Sequence, residues 1–224
     1  TNSLLEVNFV NVNNLTTMEG MFRRNHKLTK IDFYGTTKNV TNMYETFGTT
    51  ESLNYIDLSN FNTKLVTNMS NMFSYCIGLK QLDVSHFDTQ NVRNMSSMFI
   101  YCQSITELDL SQWNTENVAN MARMFMDCKQ LQSMDLSNFN MEKVTNITSL
   151  FHNNNQLQSV KFPIVRSATL THTNSVVANC SSLTEIDFTP LNTSSVIRMA
   201  VLCSGCATIK TINTTEIRVA GIFI

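Results

Sequence analysis

Apolar residues recur along the chain in blocks of two different rhythms. One rhythm is alternating, as in Leu82-Asp83-Val84; the other places Val66, Met69, Met72 and Phe73 at i, i+3, i+6 and i+7. Alternation is the period of a half-buried strand, whereas the second spacing gathers side chains into a wedge of about 120° on a helix. The pattern therefore predicts a short strand, a turn and about two turns of helix, over and over. Anchored on Phe22, Phe47, Phe73, Phe99, Phe125, Phe151, Val177 and Cys203, the units follow one another at 25 residues and then 26 throughout.

The columns around that anchor are regular. Seven places before it runs an aliphatic column that includes Val66 and Val92. Four places and one place before it stand ten of the thirteen methionines, among them Met69, Met72, Met95 and Met98. Three places after it stand Cys76, Cys102, Cys128, Cys180 and Cys206. These columns, with Phe73 and Phe99, form the expected core. Thr63, Thr89, Thr115 and Thr193 lie where their hydroxyls could cap the helix. Only 6 Gly and 2 Pro occur, so the turns must rely on Asn, Asp, Ser and Thr.

One unit buries too few side chains to offset the ordering of its own backbone, but stacking on identical neighbours covers both flanks. The expected fold is an α/β solenoid, a leucine-rich-repeat-like right-handed array of about eight repeats. One parallel sheet forms one face and short helices the other. Residues 1–224 make a single repeat domain, expected to be a fragment of a longer protein. The closing run "EIRVAGIFI" departs from the pattern and offers no polar cap.

The repeat core "LxxLDLSxFxTxxVxNMxxMFxxC", best seen in 79–102 and 105–128, resembles the 26-residue repeat of BspA-like bacterial surface proteins, a branch related to leucine-rich repeats. The resemblance implies a secreted or wall-anchored protein whose repeats act as adhesive modules. It implies a host extracellular or mucosal protein or a glycan as partner. The chain departs from that pattern at Asn154 in the cysteine column, at Lys161 in the strand Asp column and at Pro163.

Charge narrows the function classes. Sixteen basic residues against seventeen acidic ones give a formal charge of −1, which supplies no global pull toward nucleic acid or an anionic membrane. No apolar run approaches the roughly 20 residues of a membrane span. The four histidines occupy four different columns, and neither a phosphate-cradling glycine loop nor a histidine pair of metal spacing appears. No catalytic, cofactor-binding or metal-binding residue is expected, and the chain is read as a non-enzyme. The cysteine column reads as buried thiols, and the "CSGC" of Cys203 and Cys206 falls into two different columns.

Candidate partner-binding residues lie on the outward strand face. Asp32, Asp57, Asp83, Asp109 and Asp135, with Asp187, repeat at one position. Either each accepts hydrogen bonds from the backbone or the Ser two residues on, or the stripe forms an acidic face for a cation or basic partner. Tyr34, Tyr55 and Lys161 break the uniformity of the outer rungs, and tyrosine is favoured at interface centres. The asparagine column from Asn42 to Asn146 is expected to bond the backbone of neighbouring coils. Function is thus expected to be extracellular binding, with a rigid spacer as the alternative. Irregular outward residues would mark a site and uniform Asp-Ser rungs a spacer.

Overall fold

The computed structural model describes residues 4–9 and 12–214; the closing run 216–224 lies outside them. Successive units lie in parallel register. Isolated bridges join Thr17 to Asn42, Asn42 to Asn68, and so on through Asn94, Asn120, Asn146 and His172 to Arg198, one rung per unit. Along the same side Phe22, Phe47, Phe73, Phe99, Phe125 and Phe151 stack ring on ring. Their centroids are 5.4–5.7 Å apart and their planes within 12° of parallel. Such stacking adds to the roughly 1.5–3 kcal/mol that burying each ring contributes. Val66, Met69, Met72, Phe73, Val92, Met95, Met98 and Phe99 are fully buried, as are Cys76, Cys102 and Cys128.

The expected α/β architecture is not what forms. Among the described residues there is no helix, and the strands number six: β1 (Glu6–Phe9), β2 (Lys30–Phe33), β3 (Ser133–Asp135), β4 (Ser159–Lys161), β5 (Glu185–Asp187) and β6 (Thr211–Asn213). They pair as three separate two-stranded parallel sheets, β1 with β2, β3 with β4 and β5 with β6, rather than one continuous sheet. The expectation of a solenoid with a helical wall and a single parallel sheet is thereby overturned.

Backbone dihedrals give the reason. In every unit the residue two before the anchor and the residue two after it have positive φ: Asn71 and Tyr75, Ser97 and Tyr101, Arg123 and Asp127, for example. A helix requires negative φ throughout and N–H bonds to the fourth carbonyl back. Here the N–H groups of Met69, Asn71, Phe73 and Tyr75 instead donate to Asn94, Ser96, Met98 and Ile100 of the next unit, while Met72, Ser74 and Cys76 close tight turns onto the third residue back. A positive φ at the third place of a four-residue turn is what a type II turn demands. The wall opposite the strands is therefore a pile of turns, hydrogen-bonded from unit to unit.

Side chains complete the stacking. Thr37, Thr63, Thr89 and Thr115 are buried, and their hydroxyls donate to the carbonyls of Asn62, Asp88, Asn114 and Asn140 one unit on. They tie coils together and cap no helix. The asparagines do the reverse of what was expected: the Oδ1 atoms of Asn42, Asn68, Asn94, Asn120 and Asn146 accept the N–H two residues on in their own unit. The 25-residue first step is absorbed before Val40, where Gly35 takes φ of 136° beside Val12.

Candidate functional site

The strand-side face carries the candidate residues. Asp57, Asp83, Asp109 and Asp135 are exposed, and each accepts the N–H of the Ser two residues on at 2.9–3.0 Å; Asp187 does the same with Thr189. This local bond closes the turn that follows each rung. The N–H of Ser59 holds Asp57 below the usual carboxylate range, and the hydroxyls of Ser85 and Ser111, followed by their N–H groups, do so for Asp83 and Asp109. The Ser137 hydroxyl and N–H, with Lys161 behind them, bring Asp135 down to about 2. Each Asp is thus engaged within its own turn, and among the described residues no group of three or more His, Cys, Asp or Glu could hold a metal ion.

Lys161 and Asp32 are both drawn into pairs. Lys161 Nζ lies 3.1 Å from Asp135 Oδ2 across β3 and β4, and Lys30 lies 2.7 Å from Asp32 within β2. Tyr34 and Tyr55 are 59% and 58% exposed, and no ring contact joins them among the described residues. The variable outer rungs therefore hold isolated features rather than a constellation.

A groove lies elsewhere, over the uniform middle rungs. It encloses about 1240 Å³ between residues 77–85 and 103–109, with Lys129 and Gln130 at one end. It lies in the stretch between β2 and β3, where, among the described residues, the backbone N–H and C=O groups of 55–57, 81–83 and 106–109 take part in no hydrogen bond. Leu82 and Leu108 form an apolar floor, and Leu108 is only partly buried, whereas Met134 in the same column is 4% exposed. Lys80 and Lys129 put positive charge at the end where the rungs begin, and Asp83 and Asp109 put negative charge where they finish, with Glu107 between. Sequence reading found Asp83 and Asp109 but passed over Lys80, Leu108 and Lys129. Their columns gave no sign that the ladder opens there.

A second line of side chains runs along the turn wall. Tyr75 and Tyr101 stack at 4.5 Å, the carboxylate of Asp127 raises the Tyr101 hydroxyl's pKa, Asn153 Nδ2 donates to Asp127, and Asn179 Nδ2 donates to Asn153. All five have positive φ, which is what lines them up. The thiols form an inner line: Cys76, Cys102, Cys128 and Cys180 donate to the carbonyls of Phe47, Phe73, Phe99 and Phe151, and all six cysteines are free and buried.

The stacking of near-identical units, their apolar columns and the strand-side face define a leucine-rich-type repeat protein. A crystal structure of a leucine-rich repeat protein from Bacteroides ovatus matches 94% of this chain and 55% of its own, with a TM-score of 0.57 and 17% identity. A leucine-rich cell surface protein from Faecalibacterium prausnitzii matches 97% of this chain and 61% of its own, with a TM-score of 0.43 and 19% identity. The chain thus spans little more than half the length of these solved structures. The resemblance to the BspA-like repeats that the 26-residue phrase carries holds in the fold. The chain belongs to the family described as "Mycoplasma protein of unknown function, DUF285", whose model matches residues 2–82 and 77–185. No curated protein matches it.

Proposed function

We propose that this chain is a non-enzymatic binding module of a bacterial cell-surface protein that engages an extracellular host protein or glycan through its strand-side face. The observation that carries this reading is the groove of about 1240 Å³, with Lys80 and Lys129 at one end, Asp83 and Asp109 at the other and an apolar floor between. Concave sites with few charged groups around apolar surface suit recognition. They suit catalysis less well here, because carboxylates held low by their own turn serines are poor proton donors near neutral pH. Surface exposure accords with the leucine-rich repeat fold and with the largely uncharged polar composition, 15% charged residues.

The spacer reading draws on one observation, that the middle aspartates are consumed in local turn bonds. The test is binding of the 224-residue chain, immobilised, to an array of matrix proteins, mucins and mucosal glycans. Saturable binding that is lost when Asp83, Glu107 and Asp109 are all changed to Lys supports the groove. Failure of every array member to saturate returns the chain to the role of spacer.

A further inference from the structure

Building on the reading that the groove binds, we infer that its ligand is a linear acidic oligosaccharide. It lies along the array, its carboxylates toward Lys80 and Lys129 and its ring hydroxyls toward Asp83, Glu107 and Asp109. The polar side chains of the groove are unengaged. Among the described residues, Gln81, Gln103, Ser104, Thr106 and Gln130 make no side-chain hydrogen bond, and Lys80, Glu107 and Lys129 make neither a side-chain hydrogen bond nor an ion pair. In other units the same columns are spent on the neighbouring coil: the Thr29 hydroxyl donates to the carbonyl of Leu5, and that of Ser182 to the carbonyl of Asn155. The groove thus gathers donors and acceptors that the fold itself does not use.

Amides and hydroxyls both donate and accept, and a sugar hydroxyl does the same, so each finds a partner on the edge of a pyranose ring. Protein interfaces centre on aromatic and arginine anchors, and the groove is lined by neither. Its apolar residues are Ile77, Leu82 and Leu108, enough to carry the C–H face of a ring. Its volume of about 1240 Å³ exceeds the roughly 300–1,000 Å³ of pockets that hold one small molecule, so the ligand extends over several rings.

Charge sets the orientation. Lys80 and Lys129 belong to coils two steps apart, each step being 5.7 Å between the anchor rings of Phe73, Phe99 and Phe125. A single carboxylate is small against that separation, so the pair is matched by two acid groups on different rings of one chain. On the other side, Asp83 and Asp109 each receive the N–H of Ser85 or Ser111 on Oδ1. Their Oδ2 atoms are left to accept hydroxyls in charge-assisted bonds. In a hexuronic acid the carboxylate and the vicinal hydroxyls of C2 and C3 stand on opposite sides of the ring. The two edges of the groove present the matching opposites.

The experiment is calorimetry on the 224-residue chain with a tetrasaccharide of alternating glucuronate and N-acetylhexosamine, and with the same tetrasaccharide after its carboxylates are reduced to alcohols. The acidic form should bind saturably, and reduction should weaken it by roughly tenfold. Lys80→Met combined with Lys129→Met alters side chains that bond to nothing else among the described residues, so the melting temperature should hold while the preference for the acidic form disappears. Lys80→Gln with Lys129→Gln repeats the comparison with polar ends in place. Asp83→Asn with Asp109→Asn keeps the turn acceptors and removes the charge, and should weaken both forms alike. Three results overturn the inference: no saturation by the acidic tetrasaccharide, equal binding of the acidic and reduced forms, or an acid preference that survives both pairs of lysine changes. A protein or peptide that saturates the groove, and is lost when Asp83, Glu107 and Asp109 become Lys, while the tetrasaccharide does not bind, also overturns it and leaves the binding-module reading intact. Absence of any saturable partner in the array overturns both.

Discussion

Asn154 occupies the column where its neighbours one unit away are Cys128 and Cys180, and it is fully buried. Each of those thiols donates to the carbonyl of the preceding anchor phenylalanine, whereas neither amide atom of Asn154 has a hydrogen-bond partner in the protein. A buried polar group left unpaired costs about 1–3 kcal/mol. Asn154→Cys should therefore raise the unfolding free energy by a comparable amount, read as a higher denaturant midpoint at unchanged slope. An unchanged midpoint would show that the amide is satisfied after all. The thiols themselves are held in reserve. Burial pushes Cys76, Cys180 and Cys203 up to about 12 and Cys102 and Cys128 well above their ordinary value, so little thiolate is available. Alkylation at pH 8 should leave the native chain unlabelled and add six groups once it is unfolded, as counted by mass. This much was readable in the sequence, since a cysteine column in register with phenylalanine and methionine columns can only face inward. What could not be read was that the asparagine would be left without partners.

At the scale of the element, the turn is what the sequence disguised. Apolar residues at i, i+3, i+6 and i+7 suit a helix, yet a succession of tight turns puts its inward residues at nearly the same intervals. The deciding positions are those with positive φ, and their occupants share no chemistry: Asn71, Ser97, Arg123, Ser149, Ser175 and Val201 fill one column. Only Gly20 at the head of that column, and Gly205 in the other one, hinted at the left-handed conformation. Most of these residues hold a strained dihedral because the unit-to-unit hydrogen bonds on either side fix the backbone. Val201 is the least suited of them, a β-branched residue at φ of 48° with its side chain partly exposed. Val201→Gly relieves a penalty of roughly 1–2 kcal/mol and incurs about 0.5–1 kcal/mol of chain entropy. A net gain of about 0.5–1 kcal/mol is expected by thermal or denaturant unfolding, and a loss would mean that Val201 packs more than its exposure suggests. The same change at buried Phe99 has no such compensation and serves as the destabilising control.

Across the whole molecule the two long sides are unequal. The turn wall is bonded at every step from Thr17 to Arg198, while the strand side is paired only between β1 and β2, β3 and β4, and β5 and β6 among the described residues. The sequence announced the repeat and the inward columns plainly, because identical units must offer identical faces. It could not announce the groove, since Leu82-Asp83-Val84 and the rung of β3 are written in nearly the same letters and differ only in whether a neighbour pairs with them. The aspartates act collectively at this scale. Asp57, Asp83, Asp109 and Asp135 all titrate below their ordinary range in the folded chain, so their contribution is present above about pH 4. It is lost as the pH falls toward 2 and the folded carboxyls take up protons. The melting temperature should decline over that window, and changing all four to Asn, which keeps the turn acceptor but cannot titrate, should flatten the decline. An equally steep decline in the quadruple variant would assign the acid sensitivity elsewhere.

The column of phenylalanine rings, each resting on the next at 5.4–5.7 Å, also constrains how such a gene can lengthen or shorten. Duplication or loss of one complete 26-codon segment leaves each interior ring of the pile with a ring above and below it. A change of any other size slides polar residues into the pile unless a loop absorbs the difference, as the one around Gly35 does for a single residue. Copy number is therefore free to drift in whole steps, and strains carrying this gene should differ from one another by multiples of that segment.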